Sequence, residues 1–301
     1  MKSYFSTNRV LAYTFTGVAI ATFFFACKKE VTTDTAVTNE QDNHTMAVAS
    51  HEAQVNGIYG DLFETAVSAA ATQGVDSRQS GKDAKDLADA APCPSVLLLG
   101  VTDPNQWPKE IVVEYGPACR DNYGVTRSGM VHISMTGLLF KTGTRVTITL
   151  EDYKVNNIPV TGVNSIYDIS YSPVTGVQYT TEVTDGNVHL SDSLILGYTG
   201  KKTVKQIEGG STPMNPSDDV YSIDGNATIT YEKGAPGGEA AVATISTVTP
   251  VLKGWSCKWI SQGELKVEFN KITGVIDYGK GMCDSLATIT VNDKMKDIVL
   301  P

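Results

Sequence analysis

From Cys93 onward, apolar and polar positions alternate with a period of two. In Val146-Thr147-Ile148-Thr149-Leu150 the apolar side chains share one face and the threonines the other. The same alternation recurs in Ala227-Thr228-Ile229-Thr230-Tyr231, in Leu265-Lys266-Val267-Glu268-Phe269 and in Ala287-Thr288-Ile289-Thr290-Val291. Successive side chains of a strand point to opposite faces, so this period reads as strand. Thr, Val, Ile and Tyr also suit a half-buried pleated surface. Asp185-Gly186 and Gly237-Gly238 read as turns between such runs. No helical period stands out over residues 93–301. A succession of short strands without crossover helices predicts an all-β fold, an antiparallel meander forming a sandwich or rolled sheet. A length of about two hundred residues suits a single all-β domain over 93–301.

Upstream the pattern changes. Val55, Ile58, Tyr59, Leu62, Phe63 and Val67 fall at helical spacing on one face, with Glu52, Asp61 and Glu64 elsewhere. This predicts one short amphipathic helix near 49–71. Residues 28–47 and 73–91 are mostly Thr, Asp, Asn, Ala, Lys, Gly and Ser, too polar or too small to bury a core. Residues 27–92 therefore read as a disordered tether carrying that helix, dispensable for folding of the β domain.

The first 26 residues form a signal peptide by pattern. Lys2 and Arg9 precede a run from Val10 to Ala26 that is almost wholly apolar or small. The run is too short for a comfortable membrane span, which takes roughly 20 apolar residues. It ends on Phe24-Phe25-Ala26-Cys27, and a small residue before a lone cysteine at that place resembles a lipobox. Phe24 stands where the common pattern has Leu. Cys27 is thus the expected site of lipidation. Lys28 stands where the enterobacterial inner-membrane retention signal has Asp, so the expected location is the outer membrane, on its periplasmic or surface face.

Charge narrows the partners. The 24 basic residues less Lys2 and Arg9 leave 22 against 33 acids, a formal charge of −11 for the mature part. That argues against nucleic acid and against adhesion to anionic lipid through charge. Attachment to the membrane would come from acyl chains on Cys27. Four further cysteines remain, Cys93, Cys119, Cys257 and Cys283, and an even number in an exported chain reads as two disulfides. No CxxC pair is present to support a structural zinc site.

Both cysteine pairs are spaced by 26 residues. Ile111-Val112-Val113-Glu114-Tyr115-Gly116 precedes Cys119, and Gly274-Val275-Ile276-Asp277-Tyr278-Gly279 precedes Cys283. A hairpin centred between Cys257 and Cys283 would turn at Asn270-Lys271, where the alternation lapses. One centred between Cys93 and Cys119 would turn near Gln106, inside a stretch broken by Pro104 and Pro108. This predicts disulfides Cys93–Cys119 and Cys257–Cys283, each closing the open end of one hairpin. The lipobox, these paired segments, Gln106-Trp107-Pro108-Lys109 and Cys283-Asp284 resemble a group of Bacteroidetes lipoproteins of uncharacterised function. The resemblance covers most of the region beyond Cys93 and implies a β-rich envelope protein, with no activity or site attached.

Catalytic signals are sparse. His132 and His189 sit at polar positions of their strands, while His44 and His51 lie in the tether and at the start of the helix. A metal or acid–base role would need them to converge with a third group. Glu151-Asp152 and Asp218-Asp219 are sequence neighbours, which a strand sends to opposite faces. Asp185-Gly186-Asn187 and Asp224-Gly225-Asn226 lack the spaced acids of a calcium loop. Tyr167, Tyr171, Tyr179, Tyr198 and Tyr221 are loose candidates for stacking on sugars, with packing the stronger reading. Tyr115 and Tyr278 read as covers for the disulfides, with Glu114 and Asp277 facing water. No elbow, HExxH or phosphate loop occurs, and no cofactor, metal or catalytic residue is expected. The reading is a lipid-anchored envelope protein with a structural or binding role toward protein or glycan. The alternative is a hydrolase of envelope or dietary polysaccharide whose two carboxylates meet only in the fold.

Overall fold

Strands β1 to β14 and one helix, α1, make up the protein in a computed structural model that describes residues 40–76, 93–99, 106–121, 124–212, 216–238 and 241–300. The expected signal peptide, Cys27 and most of the two linkers lie outside these residues. All the described residues belong to one unit spanning Thr35–Pro301.

The four alternating runs behave as their pattern requires. Val146 and Ile148 of β5 (Val146–Val155), Ala227, Ile229 and Tyr231 of β9 (Val220–Lys233), and Leu265, Val267 and Phe269 of β11 (Gln262–Phe269) are all buried. So are Ala287, Ile289 and Val291 of β13 (Leu286–Val291). Every pairing in the sheet is antiparallel, and neighbours in sequence are neighbours in space from β4 (Thr126–Met135) to β14 (Lys294–Val299). The path begins with β1 (Ser95–Leu99) beside β2 (Lys109–Glu114), and the two-residue β3 (Cys119–Arg120) pairs with β4 off that path. The all-β meander is therefore as the sequence predicts. Three tight hairpins turn on Asn156-Asn157, Asn270-Lys271 and Asn292-Asp293, each with both residues at positive φ. Such turns match the right-handed twist of the strands they join.

The strands are longer than the turn signals suggest. β6 (Ile158–Ser172), β7 (Gly176–Ser191) and β8 (Leu194–Glu208) run 15, 16 and 15 residues. Gly237-Gly238 does lie in the connection between β9 and β10 (Val242–Gly254), but Asp185-Gly186 is no turn. It is a bulge inside β7, where pairing with β8 slips between Val183 and Gly186. A bulge takes the same Asp-Gly chemistry as a turn and bends the strand without ending it.

The larger correction concerns the helix. α1 spans Glu40–Thr72, nine residues earlier than the expected start, and it is no tether. Val48, Ala49, Val55, Leu62, Ala66 and Ala70 are buried in the same core as the strands. Glu52, assigned by pattern to a polar face, has 0% exposure. The first turns are held where sequence shows only polar residues. Asp42 accepts hydrogen bonds from Asn292 (2.8 Å) and Lys294 (3.0 Å), at the β13–β14 turn and the start of β14. Glu40 and Asp42 also complement the positive end of the helix dipole.

α1 touches strands across nearly the whole path. Tyr115, just past β2, faces Thr65, Arg127 of β4 binds Asp61, Thr161 of β6 accepts from Tyr59, and Tyr231 of β9 meets His51. Thirteen strands side by side are roughly 60 Å wide at about 4.8 Å each, whereas a helix is about 10 Å across. Only a sheet rolled around the helix meets it this widely. The roll stays open, with β1 and β14 as its two ends. Cys93–Cys119 and Cys257–Cys283 are bonded, with Cα atoms 5.6 and 5.7 Å apart. The second closes the hairpin of β11 and β12 (Ile272–Lys280), the first that of β1 and β2.

Candidate functional site

One stripe of α1 remains at the surface of the roll. Gly57 and Gly60 are exposed there, beside Asn56, Asp61 and Glu64. Each polar member is met by a cation from a different strand. Lys202 of β8 donates to Asn56, Lys253 of β10 pairs with Glu64, and Arg127 of β4 bonds Asp61 at 2.8 Å and Asp121 at 2.6 Å. Burial pushes the Glu64 carboxyl up, partly offset by Lys253. Gly60 lies in open space. A Cβ built on Gly60 would meet no atom within 4 Å.

On either side of this stripe a crevice opens between helix and sheet. The first, about 1080 Å³ counting its mouth, is walled by Tyr59, Phe63, Tyr179, Tyr198, Val251 and Trp255 among others. Its aromatic rings are ordered by contact. Tyr59 stacks on Tyr198 at 5.1 Å, and Phe63 on Tyr179 at 4.4 Å. The second, about 1000 Å³ counted the same way, is walled by Val125, Val155, Ile158, Trp259, Ile260 and Leu300. Asn56, Gly60, Ile223 and Lys253 line both. The two crevices are therefore halves of one groove that crosses the bare helix stripe.

Glu52 lies at the inner end of the first crevice. The Tyr278 hydroxyl approaches it, but neither that hydroxyl nor either Glu52 oxygen makes a hydrogen bond of good geometry. Burial pushes the Glu52 carboxyl up from the usual carboxylate range, while Lys202 and then Tyr278 pull the other way. Burial alone would lower the Lys202 ammonium, but Tyr198 and Glu52 leave it raised.

The residues singled out by sequence distribute as follows. His132 lies on the outer face between Glu110 (3.0 Å) and Glu151 (3.1 Å). His189 is exposed on β7, three strands away in the sheet, so the two do not converge. His51 shares a hydrogen bond with Tyr231, and His44 sits 3.9 Å from Glu40. Glu151 and Asp152 are both exposed, Asp152 at a positive φ where β4 and β5 slip register. Asp218 faces out to Thr212, and Asp219 faces in to Gln206 and Tyr221. Asp224-Gly225 lies inside β9, not at a turn.

Of the five tyrosines, Tyr179, Tyr198 and Tyr221 turn inward and line the first crevice. Tyr167 is on the outer face, bonded to Glu182 with Arg145 and Lys201 over its ring. Tyr171 is half-buried. Glu114 and Asp277 face water as expected, but their tyrosine neighbours face the helix: Tyr115 meets Thr65 and Tyr278 approaches Glu52. Among the described residues no three His, Cys, Asp or Glu side chains gather as a metal ion would require.

Sequence reasoning missed Glu52, Asn56, Gly57, Gly60, Lys202, Lys253 and the Trp255–Trp259 loop. Two signals pointed there. Gly57 and Gly60 interrupt a helical pattern at a cost of about 1 kcal/mol each relative to Ala, and Trp255 and Trp259 bracket Cys257. Comparison with protein-family models, curated proteins and solved structures finds no match to this chain.

Proposed function

We propose that this chain is a lipid-anchored envelope protein with a non-enzymatic binding role, and that the groove along α1 is where it binds. The lipobox-like Phe24-Phe25-Ala26-Cys27 and the resemblance to Bacteroidetes lipoproteins support the anchor and the outer-membrane location. The single observation behind the binding role is the groove itself. Its walls are largely apolar with a few convergent polar groups, which is the make-up of a small-molecule site.

A hydrolase is disfavoured by the placement of acids. Glu52 and Glu64 in the first crevice are twelve residues apart on one helix, roughly 18 Å along its axis. A glycosidase pair stands about 5–10 Å apart. Asp61 and Glu64 are closer in sequence, but each is tied to its own cation. A glycan reading is weakened as well, because Tyr179, Tyr198 and Tyr221 are buried, with Phe63 stacked on Tyr179 and Tyr59 on Tyr198.

Two measurements test the proposal. Metabolic labelling with a fatty-acid probe is expected to mark the wild type and spare Cys27→Ser, with the label in the outer-membrane fraction. An environment-sensitive apolar dye is expected to bind the purified protein at about one per chain. An unlabelled wild type recovered in soluble form overturns the anchor, and absence of saturable dye binding overturns the groove as a site.

A further inference from the structure

We infer that the groove holds one two-chain anionic lipid, with one acyl chain in each crevice and the glycerol joint over Gly57 and Gly60. This deepens the binding reading above and rests on it. Three features of the groove carry the inference.

The first is its division. Two apolar crevices of similar size lie on adjacent faces of one helix and meet only where Asn56, Gly60, Ile223 and Lys253 line both. A single linear chain would fill one crevice and leave the other exposed to water. A molecule with two apolar arms from one joint fills both. Burying a methylene stabilises by about 0.8 kcal/mol, so the second arm is a large gain.

The second is the bare joint. Gly60 is exposed at the crossing, and a side chain there would find open space. Two glycines three residues apart inside a 33-residue helix weaken it and have no backbone need, since neither adopts a positive φ. Their effect is to let something other than protein approach the helix backbone at the place where the crevices join.

The third is charge. Of the six charged residues that line the groove, Asp61 is paired with Arg127 and Glu64 with Lys253, and Lys202 donates to Asn56 close to Glu52. Lys258, on the wall of the second crevice, has no carboxylate within ion-pair distance among the described residues and sits 5.4 Å from the Trp259 ring centroid. An ammonium at an apolar rim, without an acid of its own, suits an anionic headgroup.

The tryptophans provide the test. The chain has three, of which Trp255 walls the first crevice and Trp259 the second, while Trp107 lines neither. The full mature chain is used with Cys27→Ser, so that no anchor of its own competes, and with Trp107→Phe. Phosphatidylglycerol brominated on both acyl chains is expected to quench both remaining tryptophans at one lipid per protein. Trp255→Phe and Trp259→Phe then show quenching of the other ring separately. A single-chain brominated lysophosphatidylglycerol is expected to quench one ring only. Phosphatidylcholine of the same chains is expected to bind more weakly, by up to about fivefold, the equivalent of one exposed ion pair. Lys258→Gln should erase that difference.

Gly60→Leu guards against misreading a folding defect. It adds a good helix former where there is room, so thermal stability should hold or rise while lipid quenching falls at least tenfold. Quenching of only one ring by the two-chain lipid, or quenching undiminished by Gly60→Leu, overturns the inference. If the lipid fails but the apolar dye still binds and is displaced by Gly60→Leu, the lipid assignment falls and the binding site stands. If neither ligand responds to Gly60→Leu, the binding reading itself falls.

Discussion

Gly186 and Gly60 show how one residue type carries opposite consequences in this fold. Gly186 lies at the β7 bulge, where a Cβ would come within 2.6 Å of both the Tyr59 hydroxyl oxygen and the Tyr198 carbonyl oxygen. The Tyr59 hydroxyl is committed to the Thr161 carbonyl at 2.7 Å, so it has little freedom to yield. Gly186→Ala is therefore expected to destabilise by about 1–3 kcal/mol, as overpacking does. Gly60→Ala should stabilise by up to about 1 kcal/mol through helix propensity alone. Urea titrations of the two variants check the opposite signs. At the same scale, His132 ties pH to stability. Glu110 foremost, then Glu151, raises its pKa above the usual 6.5 against a smaller opposing effect of burial. A raised folded-state pKa means the native state binds the extra proton more tightly. The contribution is complete below pH 6.5 and is lost as pH rises through the raised value. Unfolding midpoints of wild type and His132→Gln should thus converge as pH climbs above this window, and a constant gap would refute the Glu110–His132–Glu151 contact.

Among the elements, the two disulfide-closed hairpins and the helix do different work. Cys93–Cys119 and Cys257–Cys283 each close a loop of 26 residues. A loop of this size stabilises by about 3–4 kcal/mol in the chain-entropy account. The joint change Cys257→Ser and Cys283→Ser should lower stability by about that amount while leaving the β11–β12 pairing intact, which amide exchange can report. Peptide mapping without reductant is expected to find the 93–119 and 257–283 links and no crossed ones. The repeated tyrosines give these hairpins a second role. Tyr115 and Tyr278 both turn from their hairpins toward α1, one to Thr65 and one to Glu52. The duplicated segments thus grip the helix at two levels as well as pinning themselves.

For the whole molecule, the helix is the spine on which the sheet closes. Removing it would uncover Val131, Ile133, Val188, Ile229, Val267 and Ile289 together, since these sit in the one core that α1 shares. A fragment starting at Ala91 is therefore expected to lose the cooperative unfolding transition and to bind hydrophobic dye non-specifically. A sharp transition in that fragment, with native near-UV signal, would show that the rolled sheet stands without its helix. Helix truncation from its first turns gives a graded version. Asp42→Ala removes the hydrogen bonds that Asn292 and Lys294 donate to the helix, at an expected cost of about 2 kcal/mol for hydrogen bonds to a charged group.

The sequence by itself determined what is local. A period of two needs only neighbouring residues, so the strands and their inward faces were legible, down to Leu265, Val267 and Phe269. Cysteine spacing and the lapse of alternation at Asn270-Lys271 sufficed for the pairing, because a hairpin is a short-range object. Asp185-Gly186 misled for the same reason. A bulge and a turn use identical local chemistry, and only the partner strand distinguishes them. What tertiary structure decided is everything that depends on residues meeting at long range. Glu40 to Ala47 carry little apolar area and gain their helix from contacts some 250 positions away, such as Asp42 with Lys294. Glu52 looks like a solvent-facing acid until a sheet rolls over it, since helical periodicity records the polarity of a face and not what covers it. The groove belongs to this second class. It exists because a helix too narrow to fill an open roll leaves space on both flanks, and no segment of the chain holds that geometry alone.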